Sequence, residues 1–346
     1  MERNLTTGSV FKNIIYFSLP FFLSYFLQTL YGMADLFIIG QFGKVADITA
    51  VSIGSQVMHM LTVMIVGLAM GSTVAISRYV GAENKDGISV SIGNTVTLFA
   101  VVSAAAMVLL LLFVNSIVSV MSTPPEAASG AYEYLTICFI GVPFITAYNI
   151  LSSIFRGLGD SKSPMYFIAV SCAANIILDY IFIGALDMGP AGAALGTTLS
   201  QTISVVIALV VISKKDMGIH ISKPDFKPVR KITGQIMRVG IPIALQDGFV
   251  QIAFIVITVI ANRRGLTDSA AVGIVEKLIG IFFLVPSSML SSVSALAAQN
   301  FGAGKPERAR LTLKYAAFLA VGFGLIVSLI TQFFPELLVL VFTDDA

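Results

Sequence analysis

The sequence predicts an all-α polytopic membrane protein, and three observations carry that expectation. Of 346 residues, 56% are hydrophobic and 12% charged, against about 45–50% and about 25% in soluble domains; too few charges exist to coat a globule of this size. Apolar runs of bilayer length, about 20 residues, recur along the whole chain. They are hydrophobic all round with no period-two alternation, which argues against a transmembrane barrel.

Apolar runs broken at Gly, Pro and charged residues place nine spans at roughly 13–39, 50–79, 87–114, 130–155, 164–184, 189–213, 235–262, 270–298 and 308–334. Pro20, Pro143, Pro242 and Pro286 fall inside spans, where proline removes a backbone donor and kinks a helix. With the N-terminus set in the cytoplasm, seventeen Lys and Arg fall on the inner side and three (Lys44, Arg263, Arg264) on the outer side. That asymmetry is the positive-inside pattern, so the N-terminus is expected to be cytoplasmic. The opening MERNLTTGSVFKN has no short apolar core and cleavage site, so the first span is expected to direct its own insertion.

Composition also narrows the function. A net charge of +2 is too small to suggest a nucleic-acid partner. Cys138 and Cys172 lie in apolar runs at a spacing that suits neither a disulfide scaffold nor a metal site. No phosphate loop ending in GK[ST] is present, which excludes an ATPase module on this chain. DDxxD, HExxH and GxSxG are also absent, so an intramembrane enzyme has no visible machinery.

The chain repeats itself. FSLPFFLSYFLQTLYGMADLFIIG from Phe17 aligns with RVGIPIALQDGFVQIAFIVITVIA from Arg238, setting Pro242 222 residues after Pro20. RYVGAENKDG aligns with QNFGAGKPER, with Gly81 and Gly302 separated by 221, and NSIVSVMSTPPE aligns with PELLVLVFTDDA near the same offset. Six spans separate the copies, so both start from the same side, as in repeats related by an axis along the membrane normal. The expected organisation is a six-helix lobe over 1–213, a basic cytoplasmic linker over 214–234 and a partial three-helix lobe over 235–346. The second copy stops where the first still has three helices to run, so a 6 + 6 protein is expected to be present as 6 + 3.

An ionisable side chain at mid-bilayer costs about +2.5 to +3.5 kcal/mol and is a functional hypothesis by default. Asp35, Asp179, Asp247, Glu276, Lys277 and His59 qualify. Asp35 and Asp179 each precede the outer end of an outward-running span by about one turn, and Thr197 follows the start of an inward-running one by about two turns. Asn175 shares a helix face with Asp179, four residues on, and Gln28 shares one with Asp35. Together these make an oxygen-rich pocket for a shared proton or a desolvated Na⁺. The competing reading is that each Asp simply sits wet at the headgroup boundary. Asp247, Glu276, Lys277, His59 and Asn149 are candidates for a substrate cavity, although Glu276 and Lys277 point about 100° apart and His59 lacks a second metal ligand at usable spacing.

These segments together resemble the multidrug and toxic compound extrusion (MATE) antiporters. The carriers are LPFFLSYFLQTLYGMADLFIIGQFG, RYVGAENKDG, FRGLGDSKSPM, NIILDYIFIGALDMGPAGAALGTTLSQ, VGIPIAL and QNFGAGKPERAR, which span essentially the whole chain. The resemblance implies two six-helix lobes in a bacterial or archaeal inner membrane. It also implies export of small organic cations or other lipophilic compounds by a monomer, against H⁺ or Na⁺ and with no other cofactor. It assigns the cation site to Asp35, Asn175, Asp179 and Thr197, with Gln28 nearby. The acidic residue that another branch carries in its seventh helix is replaced by Val250. Bending of the first helix is expected near Pro20 and Gly32, with Pro242 as the counterpart in the second lobe. Rival functions are a lipid-linked oligosaccharide flippase of the same superfamily, which calls for a basic cavity, and a channel or intramembrane enzyme.

Overall fold

The computed structural model describes residues 5–214 and 219–339; Arg3, Lys215 and the end of the third repeat match lie outside the described residues. The helices are α1 (Val10–Phe42), α2 (Val45–Gly81), α3 (Lys85–Val120), α4 (Pro125–Gly157), α5 (Lys162–Asp179), α6 (Gly189–Lys214), α7 (Arg230–Arg264), α8 (Leu266–Gly302), α9 (Pro306–Phe333) and the short α10 (Pro335–Val339). Among the described residues nine helices are long and apolar enough to cross a bilayer, and each coincides with one expected span. The protein is a multi-pass membrane protein.

The helices overrun the apolar runs because backbone caps, not hydrophobicity, end them. At their starts, Ser9 accepts from the Lys12 amide and Asn84 from the Gly87 amide at 2.8 Å, satisfying donors that a helix leaves open. Left-handed residues mark three turns at Glu83, Ser122 and Asp187. Pro20, Pro143, Pro242 and Pro286 all lie inside helices that run on through them. The helical pattern changes elsewhere: α5 passes at Asp179 into a π-helical turn, Tyr180–Ala185. Such turns occur frequently at functional sites.

Long apolar side chains such as Leu112, Phe113, Phe318 and Leu325 face outward, as a lipid-facing surface requires, while the interior mixes apolar clusters with buried Ser, Thr, Asn and Gly. Small residues let backbones close in, and interior hydroxyls bond across helices. Thr73 and Ser77 on α2 donate to the Ser153 and Gly157 carbonyls of α4, each at 3.1 Å. Helices α1, α5, α6 and α4 pack in succession around an interior, and α2 lies between α4 on one side and α7 and α8 on the other.

The segment before α7 is strapped to α3 by Asn94, which is 1% exposed. Its amide nitrogen donates to the Asp225 and Lys227 carbonyls, both at 3.1 Å, and its oxygen accepts from the Val229 amide at 2.6 Å. The chain start is held comparably: Lys305 and Arg308 donate to the Thr6 and Thr7 carbonyls at 3.0 and 2.7 Å.

The ends of α2 and α8 meet reciprocally. A Cβ placed on Gly81 would lie 1.9 Å from the Gln299 carbonyl oxygen, and one on Gly302 would lie 1.9 Å from the Arg78 carbonyl oxygen. Each contact joins a glycine to the residue three before the other glycine, as a local two-fold relation demands. Gly81→Ala or Gly302→Ala should therefore cost about 1–3 kcal/mol, the usual penalty for overpacking. Thermal melts of purified protein check this; unchanged melting in both variants would show that the two helix ends are not in contact.

Candidate functional site: two buried carboxyls

The faces that α1, α5 and α6 turn inward carry the polar residues. On α5 the buried positions are Pro164, Phe167, Ile168, Ser171, Cys172, Asn175 and Asp179, a spacing of three and four that puts one stripe on one face. On α6 the stripe includes Ala193, Gly196, Thr197, Ser200, Gln201 and Ser204, and the final turns of α1 bury Asp35, Ile38 and Ile39. The stripes meet near the end of the bundle where α1 and α5 finish and α6 begins.

Asp35, Asn175, Asp179 and Thr197 converge there, all less than 8% exposed. Thr197 donates its hydroxyl to Asp35 Oδ2 at 3.3 Å. The two carboxyl groups lie side by side, with Asn175 against Asp35 as well. Among the described residues, Asp35 Oδ1, both Asp179 oxygens and both polar atoms of the Asn175 amide have no hydrogen-bond partner. Like charges sharing a buried site disfavour joint ionisation. The arrangement has the chemistry to hold a proton between the two acids, or a desolvated monovalent cation among carboxylate, amide and hydroxyl oxygens. Wet headgroup-level aspartates do not look like this: these are interior groups.

Two residues complete the site without having been singled out by sequence. Gly196 has no room for a side chain, since a Cβ there would lie 2.0 Å from Asp179 Oδ1 and 3.6 Å from Asn175 Nδ2. Its neighbour one turn earlier, Gly192, faces the backbone of Phe182 in the π-helical turn, 3.1 Å from a placed Cβ. The signal was present as G-x-x-x-G in GAALG, the small-residue spacing that lets membrane helices approach. Tyr31, one turn before Asp35, packs beside Thr197 and both carboxyls.

The remaining candidates lie apart from this cluster. Gln28 is two turns (about 10 Å) back along α1 and lines a small cavity with Asn149, Tyr25 and Arg156. Gly32 has open space at its Cβ position, and the Pro20 carbonyl accepts from Ser24 at 2.8 Å; Pro242 is exposed. Asp247 is half-buried in the α2–α7 seam, its Oδ2 3.0 Å from where a Gly67 Cβ would stand. Glu276 accepts from Thr258 on α7 at 2.5 Å. His59 and Lys277 are exposed and within electrostatic reach of each other. Asn149 therefore sits with Gln28 inside the first six helices, whereas Asp247, Glu276, Lys277 and His59 lie on α2, α7 and α8.

Helical bundle, inward polar stripes and a buried acidic pair define a secondary-transporter type of architecture. The MatE family model matches residues 20–181 and 242–346. The chain belongs to the MatE family. It is 29% identical over 305 residues to "Probable multidrug resistance protein YpnP" of Bacillus subtilis, covering 88% of this chain and 68% of that protein. It is 28% identical over 312 residues to "Multidrug export protein MepA" of Staphylococcus haemolyticus, covering 89% and 68%. Among solved structures, it matches a multidrug resistance MATE family transporter of the MOP superfamily in its outward-facing conformation. That match has a TM-score of 0.89 at 26% identity, over 99% of this chain and 76% of that one. Fold class and family agree with the resemblance drawn from sequence.

Because Gly196 makes way for Asp179, Gly196→Ala should displace that carboxyl and weaken cation binding at the site by about tenfold or more, equivalent to about 1.4 kcal/mol. Na⁺ and proton titrations of the purified protein measure this. Unaltered titration would separate Gly196 from the site.

Proposed function

We propose that the protein exports lipophilic, often cationic, compounds by antiport with H⁺ or Na⁺ bound at Asp35, Asn175, Asp179 and Thr197. The observation that carries this reading is the pair of interior carboxyls of which three oxygens, among the described residues, receive no donor. A site so built binds a positive charge in one conformation and releases it in another; the difference in affinity drives the conformational equilibrium. The two groups of helices, α1–α6 and α7–α9, are read as one complete and one partial lobe related by a two-fold axis, and the reciprocal Gly81 and Gly302 contacts support that relation. In the orientation expected from the basic residues, those contacts close the cytoplasmic side and leave the ion site nearer the exterior.

In the cycle this supports, a compound enters from the cytoplasm or inner leaflet while the α2–α8 seam is open. After the seam closes, an external ion binds at the acidic pair. Neutralising the pair lets α1 bend between Pro20 and Gly32, narrowing the space beside it and displacing the compound outward. Asp247, Glu276, Lys277 and His59 face the other half of the path.

Reconstituted vesicles with separately imposed Na⁺ and pH gradients test this, using a fluorescent lipophilic cation. Wild type should transport under at least one gradient. Asp35→Asn and Asp179→Asn should each lose gradient-driven transport while still binding the probe. Transport at the wild-type rate by either variant would sink the proposal.

A further inference from the structure

Arg156 is a buried charge that nothing above uses. It lies in the last turn of α4, at the end of the bundle opposite Asp35 and Asp179, and is 6% exposed. Among the described residues its Nε and Nη2 have no hydrogen-bond partner. A guanidinium is always charged and carries five donors, so burying one without a counter-charge is strongly unfavourable.

The obvious partners are committed elsewhere. Asp160 receives the Lys162 and Ser163 amides, both at 3.0 Å, and the Ser163 hydroxyl at 2.6 Å; it starts α5. A helix C-terminus favours a cation through its free carbonyls, but those of α4 are taken. Ile154, Phe155 and Arg156 accept from the Leu158, Asp160 and Gly159 amides. The Gly157 oxygen accepts from Ser77 and from Gln299. The Phe21 ring lies beneath the guanidinium at 5.9 Å, near the limit of cation–π reach, and neutralises no charge.

A cavity of about 20 Å³ opens beside the guanidinium, bordered mainly by α1 and α4, with Val66 of α2 and Pro164 of α5. It is partly open, and its innermost space takes about one water-sized occupant. Its wall holds no acidic residue. It offers Arg156, the Ser152 hydroxyl, which also has no partner among the described residues, and the Gln28 amide. Of the other wall groups, Ser24 donates to the Pro20 carbonyl, Tyr25 is paired with Ser291 of α8 at 2.8 Å, the Asn149 amide nitrogen donates to the Ile145 carbonyl at 2.8 Å, and the Tyr148 hydroxyl lies beside Ser152 and Arg156.

We propose that this cavity binds one small monovalent anion of chloride size, held by the Arg156 guanidinium and the Ser152 hydroxyl between α1 and α4. The guanidinium is the one charged group on the wall and no carboxylate opposes it, which favours negative charge, and the small volume favours a small ion. The bound anion balances Arg156 at one end of the interior while a cation balances the acidic pair at the other. The site does not depend on the export reading, and both readouts below are of binding.

The full chain is purified in gluconate and titrated with sodium bromide at constant ionic strength, following thermal melting, and crystals grown in bromide are measured at the bromine edge. Wild type should gain stability at millimolar bromide and show one anomalous peak against Arg156 Nε and Nη2. Arg156→Lys should shift the bromide midpoint at least tenfold upward, Arg156→Gln should abolish the response, and Ser152→Ala should weaken it. If Arg156→Gln does not fold, the wild-type map and the other two variants decide. Water without anomalous signal beside Arg156, a peak only at molar bromide, or an undiminished response in the variants would overturn the site.

Discussion

Two carboxyl groups meeting in the membrane interior with no protein donor between them form the constraint around which the first six helices are arranged. Inserting acidic residues into hydrocarbon is costly, and placing two together adds mutual repulsion to desolvation. Such a pair persists where the surrounding structure holds it, and in the proposed cycle an exchangeable positive charge relieves it. The supporting features follow from that requirement. Gly196 and Gly192 thin the surface of α6 so that Asp179 and the turn after it can press close. The π-helical turn begins directly after Asp179, re-aiming the chain at the place where the carboxyl must point inward. Thr197 supplies the one donor that Asp35 receives.

Which parts of this were legible follows from the physics of each signal. Span positions are nearly a direct readout of hydropathy, so all nine were recoverable to within a few residues. The four candidates Asp35, Asn175, Asp179 and Thr197 could be gathered because a charge in an apolar run is conspicuous and helical rise converts sequence position into depth. Gly196 was not gathered: the G-x-x-x-G pattern marks a close helix approach, but it does not say that the group facing it is a carboxyl seventeen positions away. Gln28 was assigned because it shares a helix face with Asp35; a shared face two turns apart does not make a shared neighbour, and packing gives Gln28 to the cavity with Asn149 instead. Arg156 shows the same limit in another form. Counted as one of seventeen basic residues at the inner ends, it reads as topology, yet it is enclosed by α1, α4 and α5 rather than solvated.

The four interior prolines lie in helices that continue through them. A missing backbone donor is a local deficit, and neighbouring groups in a membrane bundle can relieve it. What proline retains is a weak point. A helix lacking one internal bond bends at lower cost than an intact one, so a continuous α1 and a bendable α1 are compatible states of the same sequence.

That weak point matters because α1 belongs to two structures at once. Its final turns carry Asp35 to the acidic pair, while its first half packs Phe17 and Phe21 against Ala295 and Leu296 of α8, with Tyr25 paired to Ser291. Helix α2 has the same double membership, lying between α4 and the α7–α8 pair. An ion shifts a conformational equilibrium only by its differential affinity for the two states, and that difference must be carried by an element touching both the ion and the surface that moves. Helix α1 touches both directly. Charge at Asp35 changes the forces on one end of a rod whose other end forms part of the seam, with a proline between them. Energetic communication between ion site and seam therefore needs no chain of side-chain rearrangements: a single helix, rigid on either side of Pro20, is long enough to span the distance.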